Sequence, residues 1–474
     1  MRRIALFAAG ALLFGQAAFA AETETRIPSA ALNTASQLLT QALEDDTGLK
    51  VVESLTTEVG PRLAGSEADA RAVAWAEAKF KELGFNRVWT EPVTFPKWVR
   101  RGESASVIGP HAQPLVIAAL GGSPGGTLEA EVVQVNSMDE LQKIPAESVH
   151  GKILFINYVM SRTPNGYDYR FSGAIRTRGA SIAAGKGAVG FLMRSAATYA
   201  SETSMSRTPH TGLTRFDEGQ TPIPAAALAL SDAEQLDRLV KLGTTRVRMS
   251  LDCGWDGRAT SYNVIGEITG REKPDEVVLL GAHLDSWDLG TGAVDDGAGI
   301  GITMAAGHLL GKLPRAPKRT IRVVAFANEE QGVYGGRAYA DRHGDEAAKH
   351  QLVIESDSGT GLIYSFNTSS PPYARAAVQQ IADALLPLNI GYIANEGSPG
   401  TDIKPISSRG AAWAWLAQDG SDYFDIHHSA LDTLDKIVPR KLAQNVAAYA
   451  VLAYLAAEAD GGFGSASTPG TSGE

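Results

Sequence analysis

The chain has little of three things. It holds a single cysteine, Cys253, among 474 residues, so no disulfide can form within it and the fold must rest on packing alone. It lacks a basic excess: 43 Lys and Arg stand against 53 Asp and Glu, for a formal net charge of −10. That balance argues against nucleic acid as a partner, because phosphate binding needs basic patches, and it offers nothing to an anionic membrane. Long hydrophobic runs are missing too. The most apolar stretch near the start, "IALFAAGALLF", is too short for a comfortable membrane span. Arg2 and Arg3 precede it and Ala18-Phe19-Ala20 follow, which is the pattern of a cleaved export leader over residues 1–20. A periplasmic or secreted protein is the resulting expectation, and no cysteine after the leader offers a lipid anchor.

What remains is ordinary globular composition, 44% hydrophobic and 20% charged, with enough length for two or three domains. Helical periodicity runs from Ala30 to Leu43. A helix, a Gly-Pro turn and a second helix follow, with Ser66 as N-cap and Gly84 as stop. The texture changes at about Gly126, where "LEAEVVQV", "GKILFINYV" and "IPAAALAL" read as strands between helical stretches and a long polar loop. We read residues 21–125 as the first part of a larger domain and 126–255 as a small α/β domain inserted into it. The larger domain then resumes over 256–460, and 461–474 form a Gly/Ser-rich tail. In the third segment, apolar strands such as "DEVVLLGAH", "RTIRVVAFAN" and "HQLVIESD" alternate with helices. That alternation predicts an α/β fold with a mostly parallel central sheet covered by helices.

Ligands of open parallel sheets bind beyond the carboxyl ends of the strands, and these ends carry charged residues. One delivers His283 and Asp285 and, further on, Asp295 and Asp296. The next delivers Glu329 and Glu330, a third Asp357, and "FDIHHS" adds His427 and His428. Each taken alone is a commonplace: a hydrogen-bonded turn, a helix cap, an exposed loop pair. Together they crowd several carboxylates and two imidazoles at one sheet edge, which is unfavourable unless cations neutralise them. Carboxylate and imidazole without thiolate suit zinc, and the number of donors suggests two ions sharing a bridging carboxylate. Such sites do hydrolysis.

The segments "GAHLDSWDLGTGAVDDGAG", "FANEEQGVYGG", "ESDSG" and "FDIHHS", with "GPRLAGS" and "GSPGTDIKP" in support, resemble the zinc-dependent aminopeptidase and glutamate carboxypeptidase family. The resemblance implies a zinc exopeptidase fold with a protease-associated-type inserted domain. It implies that His283 and Asp357 hold one zinc, Glu330 and His428 the other, and that Asp295 bridges them. Glu329 would be the general base that takes a proton from water and passes it to the leaving amine. Asp285 would orient the His283 imidazole. His427 stands where relatives carry a tyrosine that helps hold the oxyanion, and the Asp295–Asp296 peptide would be cis. The implied protein is an exported two-zinc exopeptidase acting on small peptides, chiefly dipeptides with a free N-terminus, and forming a homodimer.

Other chemistries fare worse. "GGSPG" at 121–125 matches the serine-hydrolase elbow, but Pro124 has no N–H for the oxyanion. The glycines after Gly290 do not form a dinucleotide-binding pattern. A non-catalytic receptor on this scaffold would lose metal donors, and here every position is filled. A single-zinc acyltransferase related to glutaminyl cyclases fits the donor set less well.

Overall fold

The computed structural model describes residues 24–394 and 397–464. The leader expected at residues 1–20 and residues 465–474 of the expected tail lie outside the described residues. Near the start, Ala31, Ala35, Leu38, Leu39 and Ala42 share one face of the helix Ser29–Glu44 and are buried, as their spacing demands. Ser66 caps the helix Glu67–Glu82 by accepting a hydrogen bond from Asp69 N at 3.1 Å. Gly84, at φ 85°, ends it.

Among the described residues the strands join edge to edge into one 14-stranded sheet. From one edge the order is Gly391–Tyr392, Ile363–Thr368, Trp413–Gln418, His350–Glu355, Lys273–His283 and Arg319–Phe326. It continues through Arg246–Ile268, Gly126–Val135, Ile153–Ile156, Gly190–Arg194, Ala225–Leu228 and Ile117–Ala119. The central strand Lys273–His283 runs parallel to both neighbours, Arg319–Phe326 and His350–Glu355, and the latter runs parallel to Trp413–Gln418. A second parallel run links Gly126–Val135 through to Ala225–Leu228. The fold is therefore α/β, with a mostly parallel central sheet flanked by helices.

Between the two parallel runs lies a feature the sequence pattern did not suggest. Arg87–Ile108 and Arg246–Ile268 are long strands, 22 and 23 residues, paired antiparallel along almost their whole length. Patterning separates "TRVRMSLDC" from "NVIGEI", yet one strand carries both. In its partner, Pro92 and Pro96 withhold amide donors, and a shift in register falls between Pro96 and Trp98. Such irregularities are where prolines are tolerated within a sheet.

Two helices are buried nearly all round, Ala298–Gly311 and Pro439–Glu458, which is why they are built of alanine, glycine and aliphatic residues. At Gly299 an added Cβ would lie 2.0 Å from Ser356 O and 2.3 Å from an Asp296 carboxylate oxygen. Only glycine lets this helix start directly against the loop that carries Asp357. No helix among the described residues is long and apolar enough to cross a membrane.

Candidate active site

Because the central strands are parallel, their carboxyl ends emerge at one edge. His283 ends its strand, Glu329 and Glu330 follow Phe326, and Asp357 follows Glu355. His283, Asp295, Glu329, Glu330, Asp357, His427 and His428 all line one cavity of about 420 Å³. Asp295 lies at its centre. Its Oδ1 accepts a hydrogen bond from His283 Nε2 at 3.1 Å, while its Oδ2 lies 3.2 Å from His428 Nε2 without an aligned hydrogen bond. His283 Nε2 is also 3.6 Å from Asp357, and His428 Nε2 is 2.9 Å from Glu330. The Asp295–Asp296 peptide is cis.

Of the predicted residues, Asp285 does not reach the cavity wall. The structure gives its two polar groups separate tasks. The main-chain carbonyl accepts from His283 Nδ1 at 3.0 Å, whereas the carboxylate is 3.7 Å from that nitrogen. The carboxylate instead accepts from Glu329 N at 3.0 Å and Glu330 N at 3.4 Å. One residue thus turns the imidazole and holds the neighbouring Glu-Glu turn. Asp296 lies close to His283 and Asp357, but its oxygens accept from the amides of His283 and Gly299, each at 3.0 Å, which marks it as a backbone anchor.

The electrostatics follow from burial. Burial pushes the Glu329 carboxyl well above its ordinary range, and Asp357, Asp402 and Glu330 push it further against the pull of His283. Burial also raises Asp296 and Asp357. Against the cost of burial, Asp295 and Asp357 hold the His283 imidazole well above its usual pKa, and Glu330 and Asp295 push His428 up to about 9. Asp295 goes the other way: burial would raise it, but His283 and His428 hold it well below the carboxylate range. The site draws positive charge onto His283 and His428, whereas burial and then the neighbouring His428 hold His427 well below its usual pKa.

A zinc ion fits this arrangement. Around a tetrahedral zinc with bonds near 2.0–2.1 Å, neighbouring donors sit about 3.3 Å apart. The contacts given above, 2.9 to 3.6 Å, bracket that spacing. The two oxygens of Asp295 face two different imidazoles, each with a further carboxylate beside it. His427 is a competing donor, since its Nε2 lies 3.6 Å from Asp295 Oδ2 and its ring stacks on His428 at 3.5 Å. It is not, however, the imidazole in contact with Glu330, and its Nδ1 is buried without a partner.

Several supports escaped sequence reasoning. Arg62, in "GPRLAGS", is fully buried and donates to the carbonyls of Leu284, Thr291 (2.7 Å) and Gly292 (2.9 Å). It clamps the loop between His283 and Asp295 onto itself. Asp432 accepts from Val294 N at 2.6 Å and Asp295 N at 3.0 Å. His210 is 2% exposed, and its Nδ1 contacts His427 O at 2.6 Å. Its neighbour Thr211 donates its amide to His428 O at 2.9 Å. The long polar loop thus braces the His427–His428 segment.

Trp287 is buried, packs edge-on against Trp98 and fills the space over Gly121. Ser123 of "GGSPG" is buried too, its hydroxyl bonded to Pro124 O and Ala225 N.

Replacing Arg62 with methionine would take the donor from the carbonyls of Leu284 and Thr291, while Gly292 O would keep the Gly297 amide at 3.0 Å. We expect this to cost about 3 kcal/mol or more of stability, read from the urea midpoint, together with weaker metal retention. A change below about 0.5 kcal/mol would show that the clamp is dispensable.

The fold and this site define a zinc-dependent metallopeptidase. The profile of Peptidase family M28 matches residues 263–453, and the chain belongs to that family. It is 36% identical to carboxypeptidase Q of Mus musculus over 86% of this chain and 84% of that protein. It is 35% identical to the Homo sapiens carboxypeptidase Q, covering 85% and 84%. Among solved structures, a Peptidase M28 precursor from Shewanella amazonensis SB2B shares 46% identity over 90% of this chain and 96% of that one, with a TM-score of 0.86. A zinc aminopeptidase from Bacillus subtilis shares the fold at TM-score 0.62 and 19% identity, covering 86% and 94%.

Proposed function

We propose that the protein is an exported exopeptidase that holds two zinc ions and hydrolyses small peptides, chiefly dipeptides with a free N-terminus. The observation that carries this reading is Asp295, whose two oxygens face two separate His–carboxylate pairs. His283 with Asp357 would hold one ion, His428 with Glu330 the other, and Asp295 would bridge them. Zinc bound there supplies Lewis acidity, which polarises a peptide carbonyl and acidifies water.

The remaining work falls to the chain itself. Glu329, at the cavity wall with its carboxyl pushed upward, takes a proton from water and delivers it to the departing amine. Asp285 positions Glu329 through its amide and His283 through a carbonyl. His427, whose Nε2 lies 3.6 Å from Asp295 Oδ2, donates to the carbonyl oxygen as charge gathers on it. Two donor groups around one carboxylate favour this reading over a single-zinc acyltransferase. Residues 126–255 would act as an inserted module of protease-associated type, and the family resemblance extends the proposal to a homodimer. Export rests on the leader pattern of residues 1–20.

Metal analysis of the purified protein with a dipeptide panel tests the proposal. We expect about two zinc equivalents per chain. Activity should be abolished by exhaustive chelation and restored by zinc. Full activity after chelation would overturn it.

A further inference from the structure

A dipeptide carries an ammonium at one end and a carboxylate at the other, and the cavity is lined by groups of both signs. Its acidic groups include Glu329, Glu330 and Asp357. Its lining also holds two guanidinium groups, Arg176 from the helix Tyr169–Gly185 and Arg215 from the loop that follows the strand Gly190–Arg194. Neither makes a salt bridge with a carboxylate among the described residues.

Arg176 is held in place with some care. It is half-buried, its guanidinium lies 5.4 Å from the centre of the Tyr169 ring, and its Nε is buried with no hydrogen-bond partner. A Cβ at Gly212 would lie 2.5 Å from its Cζ and Nε, so a glycine is what leaves the guanidinium room. Its polar neighbours are the Tyr169 hydroxyl and His428 Nδ1, the latter at 3.3 Å. That contact is a hydrogen bond only if Nδ1 carries no proton. An imidazole that offers Nε2 to a metal has its proton on Nδ1, where the Thr211 carbonyl, at 3.4 Å, is the acceptor. Arg176 then keeps the Tyr169 hydroxyl as a partner but faces no carboxylate of the protein among the described residues. A planar cation with free hydrogens beside a hydrolytic centre is matched by a carboxylate.

We infer that Arg176, assisted by Arg215 at the exposed rim, binds the free carboxylate of the substrate and so selects dipeptides over longer or blocked chains. The inference rests on the peptidase reading above and adds the residues that set substrate length. The helix and loop that supply both arginines also brace His427 and His428, so these segments would contribute specificity and not cover alone.

The test uses the zinc-loaded full-length enzyme on a dipeptide, on the same dipeptide with its carboxylate amidated, and on the corresponding tripeptide. For the parent we expect kcat/KM to favour the free acid over the amide by roughly 10- to 100-fold, carried mainly in KM. Arg176→Met should bring that ratio close to one. Arg176→Lys, which keeps the charge but loses the fork, should restore part of it. Calorimetric binding of a reduced-bond dipeptide analogue, as acid and as amide, should show the same preference without turnover. If Arg176→Met does not fold, Arg176→Lys and Arg215→Met carry the test, each expected to lower the ratio several-fold. A parent that cleaves acid and amide equally, or an Arg176→Met enzyme that keeps the parent ratio, overturns the inference and leaves the peptidase reading standing. A parent that cleaves none of the three overturns both.

Discussion

Glu329→Gln should lower kcat by about a thousandfold or more while the protein still binds zinc as the parent does. The substitution keeps the shape of the side chain and its place on the turn, because Asp285 holds the Glu329 amide at 3.0 Å and not its carboxylate. What disappears is the capacity to accept a proton, and general-base catalysis contributes typically ~10²–10⁴-fold. The raised carboxyl of Glu329 points the same way. Burial and the nearby Asp357, Asp402 and Glu330 make its proton-bearing form accessible, which is what a group that first takes a proton and then returns it needs. Single-turnover kinetics alongside metal analysis will separate the outcomes. A Glu329→Gln protein with parent turnover would remove Glu329 from the chemistry, and one that lost its zinc would make it a metal-site residue instead.

Asp295→Ala should have the second large effect, on metal content before activity. Its carboxylate is the one group in contact with both imidazoles, at 3.1 Å from His283 and 3.2 Å from His428. Its removal leaves each remaining His–carboxylate pair without the oxygen it shares with the other. We expect zinc content to fall to one equivalent or less and turnover to fall at least about a thousandfold. By contrast, Asp357→Ala and Glu330→Ala each touch one imidazole only and should each weaken one ion. Mass-spectrometric metal counting on the three variants reads the difference. Two tightly held equivalents in Asp295→Ala would rule out the bridge.

Much of the site was legible because chemistry concentrates at strand ends. His283, Glu329, Glu330 and Asp357 follow apolar runs that could only be buried parallel strands, and parallel strands put their carboxyl ends together. The choice between His427 and His428 was not legible. Both are imidazoles in adjacent positions, and only the fold shows that the His428 Nε2 meets Glu330 at 2.9 Å while the His427 ring is stacked behind. The paired strands Arg87–Ile108 and Arg246–Ile268 were hidden as well. The first is rich in charge and carries two prolines, and a long two-stranded arm needs no continuous apolar run of its own.

Donor chemistry belongs to residue type, so the sequence alone determined that an acidic, imidazole-bearing, thiol-free site would sit at the edge of a parallel sheet. Which donors meet is a matter of register and of segments far apart in the chain. Arg62 clamps the loop after His283 from more than two hundred residues away. The loop around His210 and Thr211 braces His427 and His428, and Arg176 reaches the same wall from the helix before it. No local pattern shows what those residues hold, because burial and partners exist only once the chain has folded.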